Sequence, residues 1–169
     1  KIKYFMKKKI GCIIQARLNS KRFPGKILMP VSNKSLLQYQ LERLKKLKSL
    51  NSLIVATTRS KQDDQIKRIV RSQKLTIYRG DENNVLKRYY ECAKIYKLSI
   101  IIRITADCPL IDIKYVDKLL QFFLKNNYDY LSNLDLNYLP DGFHCEIFNF
   151  KSLEKAYKSA KSKFDKEHV

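Results

Sequence analysis

Apolar runs and amphipathic stretches alternate along almost the whole chain. Ile10-Gly11-Cys12-Ile13-Ile14 is continuous apolar sequence of strand length, as a strand buried on both faces requires. Leu37, Leu41, Leu44 and Leu47 then recur at helical spacing. Ser52–Thr58 predicts a second strand, and Ile66, Ile69 and Val70 mark one side of a helix after it. Thr76-Ile77-Tyr78 is a short third strand ending at Arg79-Gly80. Val85, Leu86, Tyr89, Ala93 and Tyr96 predict a helix that Asp81 or Asn83 would cap. Ile100–Thr105 carries the strongest strand signal. Beyond Pro109, Val116, Leu119, Leu120 and Phe123 predict a helix for which Asp112 suits the N-cap. Tyr128–Ser132 and Cys145–Phe150 read as strands, and Leu153, Ala156, Tyr157 and Ala160 as a final helix.

Strands alternating with helices imply right-handed crossovers and a mostly parallel sheet covered on both faces, a three-layer α/β/α domain. With 169 residues and no repeat or linker, one domain over 1–169 is expected. Ligands of such sheets bind at the carboxyl ends of the strands, which directs attention to the loops after Ile14, Tyr78 and Thr105.

Composition narrows the classes. The apolar fraction of 44% suits a globular protein, and no apolar run reaches the length of a membrane span. The basic opening lacks the apolar stretch of a signal peptide, so a cytoplasmic protein is expected. The four cysteines (Cys12, Cys92, Cys108, Cys145) form no C-x-x-C pair, which argues for free thiols over zinc. A net charge of +19 would attract any polyanion, yet much of it is lysine spread over predicted helix faces with no nucleic-acid motif beside it.

One loop gathers its cations differently. Residues 15–26 read Gln-Ala-Arg-Leu-Asn-Ser-Lys-Arg-Phe-Pro-Gly-Lys, with four cations and no acid directly after a buried strand. Arginine forks and a mobile lysine suit a polyphosphate, although charge alone favours a basic surface loop. There is no Walker loop and no G-x-G-x-x-G fingerprint. Past the long strand, Asp107 in Thr-Ala-Asp-Cys-Pro-Leu offers a hard carboxylate suited to Mg²⁺, or a turn residue before Pro109.

The string A-R-x-x-S-x-R-x-P-x-K resembles the signature loop of CTP:sugar cytidylyltransferases, including the CMP-Kdo and CMP-sialic acid synthetases. The succession IIQARLNSKRFPGKIL, LIVATT with Asp63-Asp64 downstream, RGDENNVLKRYYECAK, RITADCPLID, PDGFHCEIF and KEHV resembles the branch typified by spore coat polysaccharide biosynthesis protein F (SpsF), over residues 10 to 169. The resemblance implies a Rossmann-like, mostly parallel α/β/α fold of the nucleotide-diphospho-sugar transferase type. It implies that Arg17, Ser20, Arg22 and Lys26 hold a triphosphate, that Gln15 and Ala16 lie near base and ribose, and that Arg22 or Lys26 steadies the departing pyrophosphate. Asp107 matches the metal-binding aspartate, for Mg²⁺. Relatives carry a second metal aspartate in a later segment, so the chain is expected to be cut short at its C-terminal end.

Thr57, Thr58 and Arg79 are candidates for contacts at the nucleotide, and Asp81 for a ribose hydroxyl or a helix cap. Asp141, His144 and Glu146 are candidates for the sugar end, with a structural histidine the plainer reading of His144. The tyrosine pairs at 89–90 and 128–130 are expected to pack the core. The expected reaction transfers CMP from CTP to a sugar, foremost an acidic α-keto sugar, for cell-surface polysaccharide or glycan assembly. CTP and the sugar are the expected partners, with no specific nucleic acid and no membrane; a homodimer stays open. The rivals are a glycosyltransferase of the same architecture, disfavoured because no D-x-D motif stands here, and a non-catalytic basic nucleic-acid-binding protein.

Overall fold

The computed structural model describes residues 8–20, 23–134, 139–167 and 169. Strand β1 (Ile10–Gln15) leads into the basic loop, a small hairpin of β2 (Pro30–Val31) and β3 (Lys34–Ser35), and helix α1 (Leu36–Leu44). Then follow β4 (Ser52–Thr58), α2 (Asp64–Ser72), β5 (Thr76–Gly80), α3 (Val85–Ile95), β6 (Ile100–Thr105) and α4 (Ile113–Asn126). The chain continues through β7 (Tyr130–Ser132), β8 (Glu146–Asn149), α5 (Phe150–Ser159) and α6 (Lys163–Glu167).

The main sheet runs β5-β4-β1-β6-β8-β7. β5, β4, β1 and β6 are parallel, while β8 runs antiparallel to β6 and to the edge strand β7. Alternation along the strands splits the core into two layers. Cys12, Ile14, Ile102 and Ile104 face Leu37, Leu41, Ile66, Val116 and Leu120 of α1, α2 and α4. Ile13, Ile54, Ile101 and Phe148 face Leu86, Tyr89, Ala93 and Leu153 of α3 and α5. The three-layer, mostly parallel architecture expected from the pattern is the one observed.

The chain travels from β1 outward through β4 to β5, then returns to place β6 on the other side of β1. This reversal opens a crevice at the carboxyl ends of β1 and β6, where open α/β sheets take their ligands.

Helix caps refine the sequence reading. Asn84, rather than Asp81 or Asn83, caps α3 by accepting from the Lys87 amide. Asp81 turns the loop before it, accepting from the amides of Asn83 and Asn84. Asp112 caps α4 as expected. The leucine repeat continues to Leu47, but α1 ends at Leu44 and Leu47 is buried from the following turn. Helix α6 and the hairpin carry too few apolar positions to show a periodicity. Tyr89 and Tyr90 are buried, with Tyr90 stacked on Phe150 and Tyr157. Tyr128 and Tyr130 are instead about half exposed: Tyr128 lies in the turn after α4, and Tyr130 begins the edge strand β7. Among the described residues no helix is long and apolar enough to cross a membrane.

Candidate functional site

The loop after β1 is organised around one backbone unit. Leu18 receives the amides of Ser20 (2.8 Å) and Gly25 (2.9 Å) on its carbonyl. Its own amide donates to Asp63 Oδ1 at 2.9 Å. Asp63 is buried and also accepts from the Thr57 hydroxyl (3.0 Å) and the Thr58 amide (3.2 Å), so its carboxylate ties the loop to the end of β4. Gly25, at φ 72°, takes a left-handed conformation that admits the tight 3-10 turn of Lys26–Leu28. Ile27 plunges into the core from that turn and leaves Lys26 on the open side.

Across the crevice, the turn after β6 is held from below. Gln40, fully buried on α1, donates through Nε2 to the carbonyls of Thr105 (2.7 Å) and Cys108 (3.1 Å). The Ala106 amide continues the sheet ladder to the Gln15 carbonyl at 3.0 Å. Ala106, Cys108 and Ile111 are buried around this turn, so Asp107 is the residue it presents outward, its side chain 34% exposed. Lys26 Nζ forms an ion pair with Asp107 Oδ2, joining the two loops. Partial burial by itself would raise the Asp107 pKa. Hydrogen bonds from Lys26 and Thr105 overcome that and hold the carboxyl below its ordinary range.

These walls enclose an open cavity of about 670 Å³. Gln15, Arg17, Ser20, Phe23 and Lys26 line one side, Thr105–Cys108 the floor, and Asp141, Gly142 and His144 the far side. The last segment is positioned by Asn133, which donates to the Phe143 carbonyl (2.9 Å) and accepts from the Cys145 amide (2.7 Å). Arg17 makes no ion pair among the described residues. Gln15 Oε1 and His144 Nε2 are buried with no hydrogen-bond partner. Unspent polar atoms around a cationic cavity suit a polar, anionic ligand. The thiols of Cys12, Cys92, Cys108 and Cys145 are buried, and burial raises each pKa, so none is an activated nucleophile.

The structure thus brings together Gln15, Arg17, Ser20, Lys26, Asp107, Asp141 and His144. Arg22 lies outside the described residues. Five other candidates are placed elsewhere. Ala16 is buried, its amide bonded to the Ala56 carbonyl at 3.2 Å, and only its neighbours reach the cavity. Thr57 is fully buried and spends its hydroxyl on Asp63. Arg79 gives Nε to the Thr58 carbonyl, Nη1 to Asp64 and Nη2 to the Ser60 carbonyl, which occupies the guanidinium in locking α2 to the sheet. Glu146 is buried in β8, ion-paired with Arg103 and bonded by Tyr130 Oη at 2.7 Å. Thr58, raised with Thr57, is likewise buried against Asp63.

Sequence reasoning missed Gln40 and Asn133, two of the three buried groups that position the loops, and named the third, Asp63, only as part of the motif succession, without this role. Gln40 had a legible signal: it occupies a core position in the Leu37, Leu41, Leu44 stripe. Asn133 had none, since its partners lie 10 and 12 residues away in sequence.

A cation-lined loop faces an ionised carboxylate at the strand reversal of a mostly parallel sheet, where open α/β sheets take their ligands. The sequence profile of the family described as cytidylyltransferase matches residues 11–169, and the chain belongs to that family. It is 44% identical over 161 residues to the uncharacterized protein MJ1063 of Methanocaldococcus jannaschii, covering 95% of this chain and 65% of that protein. It is 30% identical over 166 residues to the spore coat polysaccharide biosynthesis protein SpsF of Bacillus subtilis, covering 92% and 69%. A solved cytidylyltransferase from Leptospira borgpetersenii superposes with a TM-score of 0.92 at 36% identity, covering 96% of this chain and 69% of that one. The chain therefore spans about two thirds of the length of these relatives.

Proposed function

We propose that the protein transfers CMP from CTP to a sugar hydroxyl and releases pyrophosphate, as a step in building a cell-surface polysaccharide or glycan. The observation that carries this reading is the Lys26–Asp107 pair at the mouth of the cavity between β1 and β6. Arg17, Ser20 and Lys26 line the wall that would take the triphosphate; on the resemblance of the loop's sequence, Arg22 would join them. On binding, Lys26 would exchange its carboxylate partner for phosphate oxygens. It then stands where negative charge grows as the bond from the α-phosphorus to the bridging oxygen breaks.

Among the described residues no group of three or more metal-ligating side chains exists; Asp107 lines the cavity and would turn to a cation once Lys26 released it. That donor set fits Mg²⁺, which takes one or two carboxylates and completes its shell with phosphate and water. Bound there by Asp107, the ion would supply neutralisation of phosphate charge. Asp141 and His144, on the opposite wall, would orient the acceptor so that its hydroxyl lies in line with the leaving pyrophosphate. An acidic α-keto sugar is the proposed acceptor class, on the resemblance of the loop to CMP-Kdo and CMP-sialic acid synthetases.

The test is pyrophosphate release with each of the four nucleoside triphosphates and a panel of acidic and neutral sugars. The expected result is release with CTP and an acidic sugar alone. Polynucleotide binding that collapses with salt, with no preference for CTP, would replace this reading with that of a basic binding protein.

A further inference from the structure

The two walls of the cavity hang from different strands. The 105–108 turn is held by Gln40 of α1 and by the Ala106 amide on β1. The 141–145 wall is held by Asn133, at the end of the edge strand β7. Among the described residues no hydrogen bond or ion pair runs directly from one wall to the other. The strands that carry the walls, β6 and β8, pair antiparallel from Ile100↔Asn149 to Arg103↔Glu146. They then part, just short of Thr105 and His144, which both line the cavity. Arg103 and Glu146 are therefore the last rung before the cavity opens.

That rung is an unusual place for charge. The rungs before it, Ile101↔Phe148 and Ile102↔Ile147, are apolar and buried, and Arg103 interrupts the isoleucine run of β6. Glu146 is 6% exposed and ion-paired with Arg103 Nη1; its second oxygen accepts from Tyr130 Oη of β7 at 2.7 Å. The Arg103 guanidinium stands 5.8 Å from the ring centroid of Tyr89 on α3, whose hydroxyl donates to the Ile13 carbonyl of β1 at 3.3 Å. One cluster thus joins β1, β6, β8, β7 and α3. Arg103 Nε is buried without a partner, so the pair is incompletely compensated. An apolar pair of similar volume would hold the fold about as well, because desolvation offsets much of the attraction within a buried ion pair. What the charges add is direction: the contact forms in one register and at one separation of the strands, whereas apolar side chains tolerate sliding.

We propose that Arg103 and Glu146 are positioning residues that fix the span between Asp107 and the acceptor wall of Asp141 and His144, touching neither substrate; this rests on the cytidylyl-transfer reading above. In-line transfer needs the acceptor hydroxyl aligned behind the α-phosphorus, and a misplacement of about 1 Å costs roughly a hundredfold in rate. A nucleotide held along the 15–26 loop lies on the other wall and does not depend on the rung.

The experiment uses the double variant Arg103→Met/Glu146→Leu, which removes both charges and leaves neither unpaired. Its thermal melt should stay within a few degrees of the unaltered protein. CTP affinity, measured by competition binding with Mg²⁺ and no acceptor, should stay within about twofold, while kcat for pyrophosphate release falls roughly thirty- to hundredfold. Amide exchange should quicken about tenfold at Cys145, whose amide bonds Asn133, and stay unchanged at Ala106, in the turn that Gln40 holds. A variant that both melts and turns over like the unaltered protein makes the pair a brace and overturns the assignment. So does a loss that falls equally on CTP binding, or exchange unchanged at Cys145. If the double variant does not fold, Glu146→Gln, which keeps the shape of the side chain, is followed by the same three measurements. Its kcat should fall about tenfold, and values unchanged from the unaltered protein overturn the assignment. Should the unaltered protein release no pyrophosphate from any nucleoside triphosphate with any sugar, the function reading fails instead, and amide exchange alone still decides whether the pair fixes the wall.

Discussion

The carboxyl rim of the sheet has two halves built from similar residues, and they have opposite character. At the ends of β4 and β5, Thr57, Thr58, Asp63, Asp64 and Arg79 satisfy one another, with all three guanidinium nitrogens of Arg79 engaged. At the ends of β1 and β6, Arg17 lacks an ion pair among the described residues, Gln15 Oε1 and His144 Nε2 lack partners, and Lys26 and Asp107 share a partly exposed pair. The first half is a brace, and the second leaves polar groups unspent beside a cavity. Residue type does not separate them; unspent hydrogen-bonding capacity beside a cavity does.

Substitutions should split along the same line. The largest effect is expected at Asp107→Ala, with pyrophosphate release falling about a thousandfold and the thermal melt scarcely moved, since the side chain is one-third exposed. A comparable loss of fold instead of turnover would put Asp107 among the braces. Asp63→Ala should do the reverse. It strands the Leu18 amide and the Thr57 hydroxyl, so denaturant titration should show a loss of about 3 kcal/mol.

Gln40→Leu removes both bonds under the 105–108 turn at nearly constant volume. Turnover should drop about tenfold with CTP affinity nearly intact; an unchanged kcat would mean the turn holds Asp107 without Gln40. The acid limb of activity sharpens the comparison further. Because the folded Asp107 pKa lies below its unfolded value, the carboxylate stabilises the fold above the unfolded pKa and loses that contribution as pH falls through the lowered one. Lys26→Met removes the main opposing cation, so a pH titration followed at the Asp107 carboxyl should move upward toward the ordinary range. The smallest effect on function belongs to Arg79→Ala: the CTP KM should stay within about twofold while stability falls by about 1–2 kcal/mol. A CTP KM raised tenfold would return Arg79 to the nucleotide site.

Local pattern carried a great deal. Short buried runs such as Ile10–Ile14 and Ile100–Thr105, alternating with periodic stretches, determined an α/β sheet because burial on both faces leaves that signature in single-residue hydropathy. The carboxyl-end rule then led to Arg17, Lys26 and Asp107 before any coordinates, because each follows its strand directly. The order of motifs made the family legible as well. Tertiary structure alone decided which polar residues stay available. Thr57, Arg79 and Glu146 look like ligand contacts until Asp63, Asp64 and Arg103 are seen to consume them. Gln40 looks like an ordinary helix residue until burial places it under a turn distant in sequence. A sequence specifies which groups can bond, but the sparing of a group depends on every neighbour that the fold brings within 3 Å or so.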